Sequence, residues 1–248
     1  MKPVDPSGLH AIHRQWPIPR RPWIIHMSWH DLLFQHWPVP ASSLRPLVPR
    51  DLEIEEFDGS AWLGIVPFSM TARPRGFHAR LASHFPEVNV RTYVRHRDKP
   101  GVWFFSLDAA DRLTVWGARR FFHLPYYHAA MSSTLSGETV HYRSRRIENP
   151  DVQLQCAYRP TSPPQVSSKG TLEYWLTERY CLFSASRDNQ IFCGEIHHPP
   201  WELQLAEAEN ETNTLAGPLG LSLTPKPELL HFAKRQDVVA WLVAATIG

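Results

Sequence analysis

The stretch Glu87-Val88-Asn89-Val90-Arg91-Thr92-Tyr93-Val94 alternates without a break between two kinds of side chain. Successive residues of an extended chain point to opposite sides. Val88, Val90, Thr92 and Val94 therefore share one face, and Glu87, Asn89, Arg91 and Tyr93 share the other. The first face belongs against an apolar core. For the polar face, alternation leaves two places open. It faces water, where an Arg–Glu contact contributes little, or it lines a polar cavity inside a closed sheet. In a cavity, loss of water would raise the pKa of Glu87 and make it an acid/base group. Arg91 would act the other way and favour the carboxylate.

The flanking segments read mostly as short strands. The chain of 248 residues holds 23 prolines and 10 tryptophans. Proline ends helices and is excluded from central strands, so short strands joined by fixed loops are expected. Trp23 to Trp37, with His26, His30 and His36, reads as a strand ended by Pro38 and Pro40. Ala41 to Val48 reads as a short helix with a serine to cap it. Leu52 to Phe57 and Ala61 to Met70 read as strands about an Asp58-Gly59 hairpin turn. Val102 to Leu107 and Leu113 to Phe122 follow as strands, and Thr139 to Arg146 as an arginine-rich edge strand. Leu172 to Ser184 and Gln190 to Ile196 flank a turn at Arg187-Asp188-Asn189. Trp201 to Glu211 fits helix or strand, as does Phe232 to Val243. Residues 1–22 form an N-terminal arm, and residues 23–248 fit one mostly β domain.

Composition excludes several function classes. A net charge of +2, evenly spread, gives no footprint for nucleic acid. Three cysteines without a CxxC pair point to reduced thiols and a cytoplasmic protein. The first residues lack the apolar region of a signal peptide, and Val238 to Ile247 is about half a membrane span, so no membrane role is expected. The 14 histidines include no HExxH, so no metal is expected. Without a GxSxG elbow, a phosphate loop or a GxGxxG turn, no cofactor is expected either. Edge strands and tryptophans are compatible with a homo-oligomer.

In Arg119-Arg120-Phe121-Phe122-His123-Leu124-Pro125-Tyr126-Tyr127-His128, Pro125 keeps Leu124 extended. Tyr126 and Tyr127 then point to opposite sides, so only one reaches any given cavity. A buried tyrosine hydroxyl seeks a partner and serves as ligand anchor or proton donor. The alternative is that both tyrosines pack structurally.

Several ordered segments together resemble a known family. They are Leu44-Arg45-Pro46-Leu47-Val48-Pro49, Trp62-Leu63-Gly64-Ile65-Val66-Pro67-Phe68, the alternating strand, Gly101-Val102-Trp103-Phe104-Phe105-Ser106-Leu107-Asp108, Leu124-Pro125-Tyr126-Tyr127, Leu176-Thr177-Glu178-Arg179-Tyr180 and His197-His198-Pro199-Pro200-Trp201. Together they look like domain-of-unknown-function family 2071, the YqjF-like proteins. That family in turn resembles acetoacetate decarboxylase, whose fold is a cone-shaped antiparallel β-barrel with flanking strands, few short helices and an interior cavity. The resemblance implies that the decarboxylase's Pro-Lys-Lys segment corresponds to Pro125-Tyr126-Tyr127, and a phenol cannot form the imine that the lysine forms. It also implies that the decarboxylase's cavity glutamate corresponds to Glu87, and that its substrate-contacting arginine falls near His30.

The expectation is a small-molecule-binding barrel that is not an acetoacetate decarboxylase. Its ligand would be oxygenated or anionic. Glu87 and Tyr126 would be catalytic, and Asn89, Arg91, Arg119, Tyr127 and His30 would contact the ligand. Whether the chain is an acid/base enzyme on a carbonyl or carboxylate compound, a ligand carrier or sensor, or a structural protein with a filled barrel stays open at the level of sequence.

Overall fold

The structure is a computed structural model, described here for residues 13–76 and 82–246. Among these the chain runs β1 (Ile25–Val39), α1 (Ala41–Leu44), β2 (Glu53–Ile54), β3 (Ala61–Pro74), β4 (Ser83–His96) and β5 (Lys99–Ala109). It continues through α2 (Arg112–Phe121), β6 (Tyr126–Ser136), β7 (Thr139–Arg146), β8 (Gln153–Pro160), β9 (Gln165–Val166) and α3 (Leu172–Thr177). It ends with β10 (Cys181–Ala185), β11 (Ile191–His197), β12 (Glu202–Asn213), β13 (Leu229–Ala240) and β14 (Ala244–Ala245).

The pairings close into two rings that share a wall. One ring runs β13-β1-β3-β4-β5-β10-β11 and returns to β13. The other leaves β5 through β6, β7, β8 and β12 and also returns to β13. Strands β13, β1, β3, β4 and β5 belong to both. The molecule is thus a closed β-barrel with a flanking sheet, antiparallel except where β5 meets β10 and β6 in parallel.

A shared wall has no wet face, which accounts for its sequence. In β3 every residue from Ala61 to Met70 is buried, as expected of a strand covered on both sides. Leu63 and Ile65 pack with Val88 and Val90 under the flanking sheet, against Tyr142, Leu154 and Tyr158. Val66, Phe68 and Met70 turn to the barrel interior. Two bulges adjust the alternation. One extra residue of β1 between His30 and Gln35 coincides with Asp31 at φ 51°, and lets Trp29 and Leu32 both face inward. The second, at Phe105 of β5, does the same for Phe104 and Leu107.

Several sequence expectations are corrected. Leu113 to Phe122 is not a strand but the helix α2, started by Asp111, whose Oδ1 accepts a hydrogen bond from the Thr114 amide at 2.6 Å. Val115, Ala118 and Phe122 recur at helical spacing against the barrel core, and that packing overrides the β propensity of Leu113-Thr114-Val115-Trp116. Thr139 to Arg146 is not an edge, because β7 pairs with both β6 and β8. The stretch from Leu172 begins as α3 before β10. The Asp58-Gly59 turn forms, with φ of 50° and 77°, but the strand before it pairs with β4 rather than β3. No serine caps α1. The two undecided stretches are the strands β12 and β13. Of the expected arm, residues 1–12 lie outside the described residues; Arg14 reaches the Ile196 carbonyl at 2.5 Å.

Candidate functional site

The barrel interior holds a cavity of about 320 Å³. Its wall is mostly hydrocarbon, with Trp29, Phe34, Phe68, Leu107, Leu182 and Trp201 among its residues. α2 lines one end with Thr114, Gly117, Ala118, Phe121 and Phe122. Leu176, Thr177 and Arg179 also line the cavity. β4 contributes Glu87, Asn89 and Arg91, three alternate residues of the face identified in the sequence. That face lines a cavity and is not solvated.

At the α2 end, the Tyr126 hydroxyl donates to Glu87 Oε2 at 2.9 Å, and both side chains are buried. β5 positions the pair: Glu87 lies opposite Ala109 in the antiparallel register, while Tyr126 lies beside Leu107 in the parallel one. Arg119 Nε donates to the Tyr126 carbonyl at 2.5 Å, fastening the start of β6 to the end of α2. Burial is the main force on Glu87 and pushes its pKa from 4.5 up to about 8. The hydrogen bond from Tyr126 opposes the rise and the Asp108 carboxylate adds to it. The Tyr126 phenol is driven well above its usual range by burial and by Glu87. Behind them Asp108 meets Arg146 through two contacts of 2.7 and 3.2 Å, a buried bidentate pair. The pair's guanidinium lies 3.7 Å from the centre of the Tyr127 ring.

Five residues lining the cavity each keep a buried polar atom without a partner in the protein: Trp29 Nε1, Asn89 Oδ1, Arg91 Nε, Arg179 Nη2 and Trp201 Nε1. Four of the five are donors, so the wall is matched to a ligand rich in acceptors. Among the described residues no lysine lines the cavity, and no three His, Cys, Asp or Glu side chains gather to hold a metal ion.

The other residues singled out in the sequence fall elsewhere. His30 lies outside the lining, because the bulge at Asp31 brings Trp29 and Leu32 inward instead. Tyr127 points away from Tyr126, under Arg146 and Arg119. Arg119 is likewise outside the lining and acts on the backbone of Tyr126. Arg91 does line the cavity but does not stand among the groups that shift Glu87, so the expected favouring of the carboxylate is absent.

Sequence reasoning gave no role to Arg179, His198 and Trp201, although all three sit inside ordered motifs. It also missed the buried contact between His36 Nε2 and the Tyr93 hydroxyl at 2.6 Å. The signal for His36 was Gly64. A Cβ there would stand 3.1 Å from the His36 ring and 3.3 Å from Arg91 Cγ, a tight fit that glycine relieves.

The closed barrel with its flanking sheet and interior cavity has the fold of acetoacetate decarboxylase. Acetoacetate decarboxylase of Legionella pneumophila subsp. pneumophila str. Philadelphia 1 superposes with a TM-score of 0.63 at 14% identity, over 97% of each chain. The enduracididine biosynthesis enzyme MppR, complexed with the condensation product of pyruvate and imidazole 4-carboxaldehyde, superposes with a TM-score of 0.62 at 10% identity. That match covers 91% of this chain and 90% of MppR. At these identities the likeness is one of fold. The chain itself belongs to domain-of-unknown-function family 2071, described as an uncharacterized conserved protein, whose model matches residues 26–237. It is 46% identical to the uncharacterized protein YqjF of Bacillus subtilis (strain 168), over 90% of this chain and 93% of YqjF.

Proposed function

We propose that the protein binds a small carbonyl compound in the barrel cavity and moves a proton on the carbon beside the carbonyl, with Glu87 as the acid/base group. The observation that carries this reading is the 2.9 Å hydrogen bond from Tyr126 to a buried Glu87 whose pKa is about 8. Such a group exchanges a proton near neutral pH, where general acid–base catalysis is most effective. Tyr126 holds the carboxyl group in place and stabilises its ionised form. Schiff-base chemistry is set aside, since the lining offers no lysine amine and a phenol forms no imine.

The fold neighbour MppR, complexed with the condensation product of pyruvate and imidazole 4-carboxaldehyde, supports a carbonyl compound as the ligand. The apolar wall with its unpartnered donors equally suits a carrier that holds such a ligand without turnover. The cavity of about 320 Å³ weighs against a structural protein with a filled barrel.

The test is hydrogen–deuterium exchange at the carbon beside the carbonyl of a panel of ketones, followed by NMR. Wild type is expected to accelerate exchange. Glu87→Gln should abolish the acceleration, and Tyr126→Phe should lower it by about 10²-fold, the scale of a positioned proton-transfer group. Binding without any exchange would leave the carrier.

A further inference from the structure

β4 crosses the cavity lengthwise and gives it two unlike ends. At its start, Glu87 stands by α2, where the Ala110 amide bonds the Pro86 carbonyl at 3.3 Å. Further along, Tyr93 packs on Trp175 of α3 at 5.0 Å between ring centres. Four residues of extended chain place the Cα atoms of Glu87 and Arg91 roughly 13 Å apart. The Arg91 guanidinium lies between two aromatic rings, 5.8 Å from the centre of the Tyr93 ring and 5.5 Å from that of Phe34. Arg179 approaches the same Tyr93 ring at 5.1 Å. Both arginines line the cavity.

The charges at this end do not cancel. Arg179 pairs with the buried Glu55, which also takes Arg95. Arg91 has no carboxylate among the described residues, and Nε of Arg91 and Nη2 of Arg179 are both buried without partners. His36, beside Arg91, is held neutral by burial. Arg91 is half-buried on the cavity wall without a carboxylate beside it, and such a guanidinium suits a carboxylate supplied by the ligand. A planar guanidinium matches a carboxylate through parallel hydrogen bonds. Between this end and Glu87 the wall is mostly hydrocarbon from Phe34, Phe68, Phe104, Leu107, Leu182 and Trp201, interrupted by Asn89, whose Oδ1 has no partner in the protein.

We infer that the ligand is a long monocarboxylate whose carbonyl lies several carbons from its acid group, with the carboxylate seated by Arg91 and Arg179 and the carbonyl end at Glu87. The inference rests on the proton-transfer reading for the role of Glu87. It excludes short oxo acids such as pyruvate and acetoacetate, whose carboxylate lies too near the carbonyl to reach both ends.

Titration calorimetry with three probes tests this: an eight-carbon carboxylate bearing its ketone at the penultimate carbon, the carboxamide of the same compound, and acetoacetate. The long carboxylate is expected to bind at least tenfold tighter than the other two, and Arg91→Gln should remove that advantage. The comparison of acid with carboxamide uses wild type alone, so it stands even if the variant folds poorly. Equal binding of acid and carboxamide overturns the inference, as does acetoacetate binding as tightly as the long acid, or no binding by any probe. If the carboxamide binds equally and still exchanges its protons in a Glu87-dependent way, the inference falls while the proton-transfer reading survives. If the acid is preferred and nothing exchanges, the carboxylate seat stands and the proton-transfer reading falls.

Discussion

Glu87 keeps its proton at neutral pH because burial and the Asp108 carboxylate outweigh the one hydrogen bond that favours its charge. Tyr126 is that bond, so Tyr126→Phe should move the Glu87 titration further upward from about 8. Infrared measurement of the protonated carboxyl band against pH reads the shift directly; a fall would show that the hydroxyl does not serve the carboxylate. At this scale the sequence was most informative where alternation was strict. Glu87, Asn89 and Arg91 share a face in the strand as they do in the sequence, and the opposed directions of Tyr126 and Tyr127 follow from Pro125 and extended backbone. His30 was misplaced for a local reason: the bulge at Asp31 needs a positive φ on a non-glycine residue, and nothing in Trp29-His30-Asp31-Leu32 announces it.

The helix α2 covers one end of the cavity on the strength of one cap and a few apolar contacts. Asp111→Ala should cost about 1 kcal/mol, the usual scale for a lost helix cap, seen as a lower midpoint in urea. Leu113→Ser, at a side chain 79% exposed, should stay within about 0.5 kcal/mol of wild type. If the second change cost as much as the first, Leu113 would be packed in solution. The helix was hidden in the sequence because Thr114, Val115 and Trp116 favour strands and Gly117 interrupts the helical pattern, while the cap that starts it is a single aspartate. β7 was misread as an edge for the opposite reason. Its outward arginines suggest solvent, yet both backbone edges are occupied, which depends on strands far away in sequence.

For the molecule as a whole, the buried ionisable groups set opposing slopes of stability against pH. Burial lowers the pKa of His36, His198 and His231 from 6.5, and that of His197 to about 3. Below pH 6.5 the unfolded chain binds protons that the folded chain refuses, so stability is lost on acidification. Glu87 acts in reverse. Between pH 4.5 and 8 the unfolded carboxyl has ionised while the folded one has not, so stability falls as pH rises through this range. Where the two ranges overlap, these four histidines, joined by His26 and His30, outweigh Glu87 and Asp108, so thermal stability should peak near pH 6.5 and decline toward pH 8. In Glu87→Gln that decline should vanish; if it persists, the charge of Glu87 is not its source. The two-ring topology itself was not legible. Its closure depends on the contact of β11 with β13 and on two short parallel junctions at β5, none of which leaves a local pattern.

The strand β4 serves two interiors at once, hydrocarbon behind and ligand chamber in front. Gaining or losing one residue within it would turn Val88 and Val90 toward the chamber and bury Glu87 and Arg91 in oil, damaging both interiors with one event. Length changes in homologous chains should therefore avoid 87–94 altogether or come there in pairs. Elsewhere the wall has already absorbed odd insertions, at Asp31 and at Phe105, by buckling outward. Point substitution remains free where insertion is forbidden, so ligand preference can diverge along β4 by exchange of alternate side chains while the frame behind them stays fixed.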